Sequence, residues 1–341
     1  MSNVWRTALP PALKPLSRQR IVLTGATSGI GLNTVRRAAK AGAAVFLIAR
    51  NEAALRQICE EVRAAGGRAG YAVADVGDQG QVRRAADQAI EAFGGFDSWI
   101  NIAGVAIYSP LLATPAVEHQ RLFQTNYWGV VHGAAAAIPH LSARGGSFIT
   151  VGSVVADIGA PLLGAYAASK HAVKGFIDSL RIELVAQKAP VNVTLVKPSG
   201  IGSPLAEHAA NHLSRAARIP PPVYPPDAVA EAILHAAQHR RREVVVGGIG
   251  MLQLLGAAHL PRLVDRVSAL TPPFLQDRAR SANAADNLFA PMADGTERSP
   301  YETSLPGSLY TAFSLRRWTT AAAGGLLVIG AMLALRRGRR G

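Results

Sequence analysis

A strand, a glycine-rich turn and a helix follow one another early in the sequence, in RIVLTGATSGIGLNTVRRAAKAG. Residues 21–23 form a short apolar run, as a strand buried on both faces should. Gly25, Gly29 and Gly31 follow, and a helix is predicted to open at about Gly31. Glycines let the backbone approach a phosphate closely, and a helix N-terminus adds N–H groups and a positive dipole. The stretch predicts a phosphate-binding turn, and a structural turn without a ligand is the alternative.

Further apolar runs of strand length occur along the chain, at residues 44–49, 69–74, 97–102, 146–151, 191–196 and 243–246. Helical patterns lie between them, among them 52–65, 79–93 and 165–186. Strands that alternate with helices predict an α/β fold, a Rossmann-type doubly wound parallel sheet of about seven strands with helices on both faces. Sheets of this kind bind ligands beyond the C-terminal ends of their strands.

The composition indicates a globular protein, because 49% of the 341 residues are hydrophobic and 17% are charged. The formal charge is +14, and six arginines with no acid lie in the last 26 residues, from Arg316 onward. This concentration indicates a membrane-facing tail and argues against a nucleic-acid partner. The single cysteine, Cys59, excludes an internal disulfide and a cysteine-rich metal site.

The C-terminal stretch 318–335 holds 18 residues without a charge and has arginines on both sides. As a helix it would span about 27 Å, at the low end for a hydrocarbon core of about 30 Å. We predict a transmembrane anchor over 316–341 that leaves the catalytic domain in the cytoplasm. A helix on the membrane surface, a helix packed on the enzyme core and a wholly cytoplasmic protein are the alternatives. Residues 1–16 are predicted to be an arm, 17–270 the catalytic domain, and 271–315 a linker with little core.

The stretch from Ser153 to Lys170 carries candidate catalytic residues. Tyr166 and Lys170 are four residues apart, so on a helix they share one face. A neighbouring ammonium favours the phenolate and is expected to lower the pKa of the tyrosine. The pair could then exchange a proton by general acid–base catalysis, with Ser153 bonding the same reacting oxygen. This set predicts carbonyl reduction or alcohol oxidation, and two residues that merely share a helix surface are the alternative.

Arg50 follows the second predicted strand, where NAD-preferring folds carry an acid for the ribose 2′-hydroxyl. An arginine at this place accommodates a 2′-phosphate. We therefore predict a preference for NADP(H), with NAD(H) as the alternative cofactor. A solvated arginine at a strand end is the structural alternative.

Over residues 17–250 the chain resembles the classical short-chain dehydrogenase/reductase family. The family's glycine motif begins here at Thr24, and Asn126 in QTNYWG matches the asparagine of its catalytic tetrad. Residues 101–104 match its Asn-Asn-Ala-Gly motif except at Ile102, where the family has asparagine. The resemblance implies a catalytic set of Asn126, Ser153, Tyr166 and Lys170. It also implies cofactor contacts from Thr24, Gly25, Thr27, Ser28, Gly29, Ile30, Gly31, Arg50, Asp75, Val76, Asn101, Ala103, Gly104, Tyr166, Lys170, Pro198, Gly200, Ile201 and Ser203.

The resemblance further implies that Tyr166 exchanges a proton with the substrate, that Lys170 also bonds the nicotinamide ribose, and that Asn126 holds a water. The expected substrate is a small-molecule carbonyl or alcohol, and the apolar flap and the tail favour a lipophilic one. A homo-oligomer, dimer or tetramer, is compatible with the sequence. A non-catalytic dinucleotide-binding protein, and an epimerase or dehydratase on the same fold, are the alternatives.

Three segments follow the sixth predicted strand. Residues 203–224 are predicted to form a flap over the substrate, Asp227 to cap a helix that ends at about 239, and 250–270 to form one further helix. His208 and His212 are spaced for a metal, but no third ligand is evident, so we predict no metal site.

Overall fold

The computed structural model describes residues 12–282, 285–292 and 294–316. Its strands are β1 (Arg20–Thr24), β2 (Ala44–Ala49), β3 (Ala69–Val73), β4 (Ser98–Asn101), β5 (Ile107–Tyr108), β6 (Gly146–Val151), β7 (Val191–Pro198), β8 (Ala210–Asn211), β9 (Arg215–Ala217), β10 (Glu243–Val246) and β11 (Gln276–Ser281). Seven of them form one parallel sheet in the order β10-β7-β6-β4-β1-β2-β3. The predicted Rossmann-type sheet is confirmed.

The helices are α1 (Gly29–Lys40), α2 (Glu52–Ala64), α3 (Gln79–Phe93), α4 (Ala116–Phe123), α5 (Gly129–Arg144), α6 (Gly164–Ala186), α7 (Leu205–His208), α8 (Pro226–Gln238), α9 (Gly248–His259), α10 (Pro261–Ser268) and α11 (Leu309–Leu315). Residues of α1, α2 and α8 pack in a core on one face of the sheet. Residues of α3, α5 and α6 pack in a second core on the other face. Every residue of β2 and β7 is buried, because helices cover both faces.

Two helix predictions after the sixth strand of the sheet are wrong. The single helix over 250–270 is two helices, because Pro261 cannot continue a helix and the chain turns at Leu260. Asp227 does not cap α8, since Pro225 holds the cap position. The Asp227 carboxylate instead pairs with Arg37 at 3.2 Å and with Arg298 at 2.6 Å.

The segment predicted to be a linker with little core packs on the catalytic domain instead. Leu288 and Leu315 are 1% and 6% exposed, and Thr311 Oγ1 accepts a hydrogen bond from Gly247 N at 3.0 Å. Part of the predicted N-terminal arm is anchored as well, because Lys14 pairs with Asp97 at 2.6 Å. Apolar burial and these polar contacts join both segments to the domain.

The predicted membrane anchor over 316–341 lies almost wholly outside the described residues. In the part of the chain that the structure describes, no helix has the length and apolar character needed to cross a bilayer.

Candidate active site

The glycine turn between β1 and α1 closes one end of the candidate site. Gly25 and Gly29 have φ values of +65° and +53°, in the left-handed region that favours glycine. A Cβ on Gly25 would lie 2.6 Å from the backbone of Ala103, and one on Gly31 would lie 1.9 Å from the Gly25 carbonyl oxygen. Ser28 caps α1 without a side-chain hydrogen bond. The turn therefore leaves main-chain N–H groups at a helix N-terminus, which suits an anion.

A cavity of about 350 Å³ joins this turn to the catalytic candidates. Its walls include most of the predicted site residues, namely Gly25, Thr27, Ser28, Gly29, Ile30, Gly31, Arg50, Asp75, Val76, Ala103, Gly104, Ser153, Tyr166, Lys170, Pro198, Gly200, Ile201 and Ser203. These residues follow the C-terminal ends of several strands of one sheet or lie on the helices α1 and α6, so the topology brings them together.

Thr24 and Asn101 do not line the cavity but hold its wall in place. Thr24 Oγ1 accepts hydrogen bonds from the backbone N–H groups of Ile102 and Ala103 at 3.2 and 3.3 Å. Asn101 accepts from Trp99 Nε1 at 2.9 Å and donates to a neighbouring strand. Their contacts in the structure are those of positioning residues.

Asn126 lies in a π-helical turn (Gln124–Trp128) and is 1% exposed. Its Oδ1 accepts a hydrogen bond from Val105 N at 2.8 Å, and its Nδ2 donates to Val105 O at 2.9 Å. The same Nδ2 also donates to Ser169 Oγ at 3.0 Å. Asn126 thus fixes the loop that follows β4. The water that the resemblance implies stays a prediction.

Tyr166 and Lys170 share one face of α6, as their spacing predicts. Lys170 Nζ lies 5.5 Å from the centre of the Tyr166 ring and donates a hydrogen bond to the Val151 carbonyl at 3.0 Å. Ser153 follows β6, where its Oγ accepts from Val155 N at 3.3 Å. Helix and strand end therefore present the three side chains to one cavity.

Burial sets the proton affinities of the pair. It raises the pKa of Tyr166 to about 12, although a hydrogen bond with Ser153 acts in the opposite direction. It lowers the pKa of Lys170 to about 8. The pKa of Tyr166 is therefore raised in this structure, not lowered as its spacing to Lys170 predicts, because burial disfavours the phenolate more than the Ser153 hydrogen bond favours it. At neutral pH Tyr166 is a protonated phenol, the form that can donate to a carbonyl oxygen.

Apolar side chains surround the catalytic end of the cavity, contributed by Val154, Val155, Ile158, Leu163, Leu205, Ile219 and Leu275. Leu205 and Ile219 come from the predicted flap, which holds α7 and the short strands β8 and β9. His208 also lines the cavity, whereas His212 pairs with Glu118 at 2.7 Å, so the two histidines do not act as a pair.

A C-terminal strap, residues 285–292 and 294–297, forms a wall of the cavity that the sequence analysis missed. Arg50 donates to the carbonyls of Asn287 and Leu288, Thr27 Oγ1 donates to Asp294 Oδ2 at 2.7 Å, and Gly29 N donates to Thr296 O at 2.8 Å. The side-chain partners are 237 to 267 residues apart, so no local pattern signals these contacts.

The family model for short chain dehydrogenases matches residues 19–213. The chain belongs to the short-chain dehydrogenase family. As a member of this family it is an oxidoreductase, a dehydrogenase or reductase that acts on CH–OH and C=O groups. The matched region contains the glycine turn and all four residues of the predicted catalytic set.

Among its curated relatives, the chain is similar to the uncharacterized oxidoreductase YxnA of Bacillus subtilis (strain 168), with 43% identity over 75% of this chain and 72% of the relative. It is also similar to a hydroxysteroid 11-beta-dehydrogenase 1-like protein of Xenopus tropicalis, with 33% identity over 67% of this chain and 79% of the relative. Among solved structures, it resembles a short chain dehydrogenase/reductase from Burkholderia phymatum in complex with NAD. That match has a TM-score of 0.63 and 25% identity, and it covers 73% of this chain and 95% of that one.

Proposed function

We propose that this protein is an NADP(H)-dependent oxidoreductase that moves a hydride between nicotinamide and a lipophilic carbonyl or alcohol. One observation carries the proposal: Ser153, Tyr166 and Lys170 line the same cavity as the glycine turn. The turn fits a dinucleotide because Gly25 and Gly31, where an added Cβ would collide with backbone, let the turn pack closely on the N-terminus of α1, and the N–H groups of a helix N-terminus suit a phosphate.

When bound, the nicotinamide supplies or accepts the hydride. Tyr166 donates its phenolic proton to the substrate oxygen during reduction and takes a proton back during oxidation. Ser153 holds the same oxygen by a hydrogen bond. Lys170, anchored on the Val151 carbonyl at 3.0 Å, places its ammonium beside the phenol and would also bond a ribose hydroxyl of the cofactor. Asn126 keeps the loop after β4 in position through its bonds to Val105.

Arg50 supports the preference for NADP(H). It follows β2 directly, it lines the cavity, and β2 ends without an acid. A planar guanidinium suits bidentate binding of a phosphate.

The apolar wall at the catalytic end supports a lipophilic substrate, because apolar surface favours apolar ligand groups. Similarity to relatives named hydroxysteroid 11-beta-dehydrogenase 1-like proteins points in the same direction. A C-terminal membrane anchor at 318–335 would also place the enzyme close to such a substrate, and we retain it as part of the proposal.

The test is to incubate the full chain with NADPH and a panel of carbonyl compounds, and to follow nicotinamide absorbance. Pairs of compounds that differ only in apolar bulk report on the apolar wall, and the larger member should give the higher kcat/KM. A non-catalytic dinucleotide-binding protein would bind NADPH without any turnover across the panel. Isomerisation or dehydration without net oxidation of NADPH would favour the epimerase or dehydratase alternative.

A further inference from the structure

The C-terminal strap places acceptor groups of the chain itself at the Arg50 end of the cavity. The guanidinium of Arg50 is directed at two main-chain carbonyls, those of Asn287 and Leu288. A second arginine, Arg121, donates to the same Leu288 carbonyl at 2.9 Å. The groups that would bind a 2′-phosphate therefore already have partners when the strap is in place.

Asp294 brings a carboxylate to the same end of the cavity. Its Oδ2 accepts from Thr27 Oγ1 at 2.7 Å, within the glycine turn, and its charge acts on Arg50. The backbone on either side is tied down, because Gly295 N donates to the Thr27 carbonyl at 2.9 Å and Asn51 Nδ2 donates to the Met292 carbonyl at 3.1 Å. These contacts hold the carboxylate between the turn and the end of β2.

Rossmann-type folds select their cofactor at this place by charge. An acid accepts a hydrogen bond from the ribose 2′-hydroxyl of NAD(H), whereas an arginine accommodates the 2′-phosphate of NADP(H). This chain has both groups, with the arginine at the end of β2 and the acid delivered by the strap. Asn287 adds another acceptor, since its Oδ1 is buried without a hydrogen-bond partner in the described structure. Acceptors suit a hydroxyl, and a carboxylate repels a phosphate.

We propose that Asp294 is a residue that determines cofactor specificity. With the strap in place, its carboxylate binds the ribose hydroxyl of NAD(H). For NADP(H) to bind, Asp294 must leave Thr27 so that Arg50 can bind the 2′-phosphate. The inference rests on the proposed function, because it concerns the dinucleotide of that site. The preference for NADP(H) that Arg50 provides is thus opposed by the strap, and the balance between the two residues sets the cofactor ratio.

The test compares dissociation constants of NADPH and NADH for the full chain and for Asp294→Asn, Arg50→Ala and the control Asp277→Asn. Asp277 is an acid of β11 that bonds Ala279 N at 3.0 Å and does not line the cavity. Asp294→Asn should lower the dissociation constant of NADPH by at least about tenfold, because a charge of the same sign as the phosphate is removed. It should not lower the dissociation constant of NADH. Arg50→Ala should raise the dissociation constant of NADPH alone, and Asp277→Asn should change the dissociation constant of neither cofactor.

Hydrogen exchange supplies a second readout on the wild-type chain. NADPH should speed exchange of the Gly295 amide, which bonds the Thr27 carbonyl across the strap and turn, whereas NADH should slow it. Equal effects of Asp294→Asn on both cofactors, or protection of this amide by NADPH, would overturn the inference and leave the proposed function standing. Failure of every variant to bind either dinucleotide would overturn both.

Discussion

Lys170 Nζ lies 5.5 Å from the centre of the Tyr166 ring, while its hydrogen bond goes to the Val151 carbonyl at the end of β6. The ammonium is thus anchored on the sheet and held beside the phenol without bonding it. In the proposed mechanism this arrangement separates two functions, because Tyr166 keeps its proton for the substrate and Lys170 supplies charge.

Tyr166→Phe should reduce kcat by about 10²–10⁴-fold, the usual contribution of a general acid or base. Dinucleotide affinity should stay near the wild-type value, because the ring and its packing remain. Steady-state kinetics and a cofactor titration measure the two effects separately. The matched control is Tyr71→Phe on β3, which lies away from the cavity and should leave both unchanged. A Tyr166→Phe enzyme that kept most of its turnover would refute the proposed role.

The rate of carbonyl reduction should fall as the pH rises through about 8, because burial places the pKa of Lys170 near that value and the ammonium is lost above it. Tyr166 keeps its proton throughout this range, since its pKa is raised to about 12. In Lys170→Arg the fall should move to higher pH, because a guanidinium stays charged. Profiles of kcat against pH for the two proteins test this. If kcat fell at the same alkaline pH in the wild type and in Lys170→Arg, the fall would have to come from the titration of another group.

Asp97→Asn should lower the free energy of unfolding at pH 7 by about 2 kcal/mol. Burial raises the pKa of this carboxyl, but hydrogen bonds from Arg20 and Lys14 outweigh it and bring the pKa down to about 2. A depressed carboxyl pKa stabilises the fold above the unfolded-state value, and this contribution is lost as the pH falls from about 4 towards about 2.

Urea unfolding of the wild type and Asp97→Asn at neutral and acidic pH measures this difference, which should shrink on acidification. The control is Asp87→Asn, at an exposed position on α3. Equal stability of Asp97→Asn and wild type at pH 7 would contradict the role assigned to the ion pair.

Gly31→Ala should abolish dinucleotide binding and destabilise the fold, because the added Cβ would lie 1.9 Å from the Gly25 carbonyl oxygen. The matched control is Gly175→Ala in α6, where a Cβ meets nothing within 4 Å. There alanine should stabilise the protein by about 0.5–1 kcal/mol through its higher helix propensity. Thermal unfolding and cofactor titration compare the two variants. Normal dinucleotide affinity in Gly31→Ala would show that the turn does not need its glycine.

A chain that ends after Arg316 should be soluble and active, whereas the full chain should pellet with membranes and resist alkaline carbonate extraction. The end point matters because α11 belongs to the catalytic domain, with Leu315 6% exposed and its carbonyl bonded by Arg241. A shorter chain that ends before Leu315 should therefore lose stability for a reason unrelated to membranes. Full-length protein found wholly in the soluble fraction would rule out the anchor.

The sequence by itself determined the parallel sheet and the helix face that Tyr166 and Lys170 share. Runs such as 44–49 are apolar throughout because both faces of the strand are buried, so the sequence itself shows them as strands. The turn is visible in the same way, because Gly31 tolerates no side chain and the position must be glycine. The spacing of Tyr166 and Lys170 likewise follows from helix geometry alone. Chemistry carried by one element, or by one strand and the helix after it, can be read directly from the chain.

Tertiary structure alone decided the pKa values and the place of the strap. The direction of the Tyr166 shift depends on how deeply the phenol is buried, which no spacing reveals. The segment 271–315 looks like a linker because it is polar and rich in proline, yet Asp294 bonds Thr27 across 267 residues. Such contacts depend on where the fold brings distant segments together, because electrostatic and hydrogen-bond energies follow distance in space and not separation along the chain.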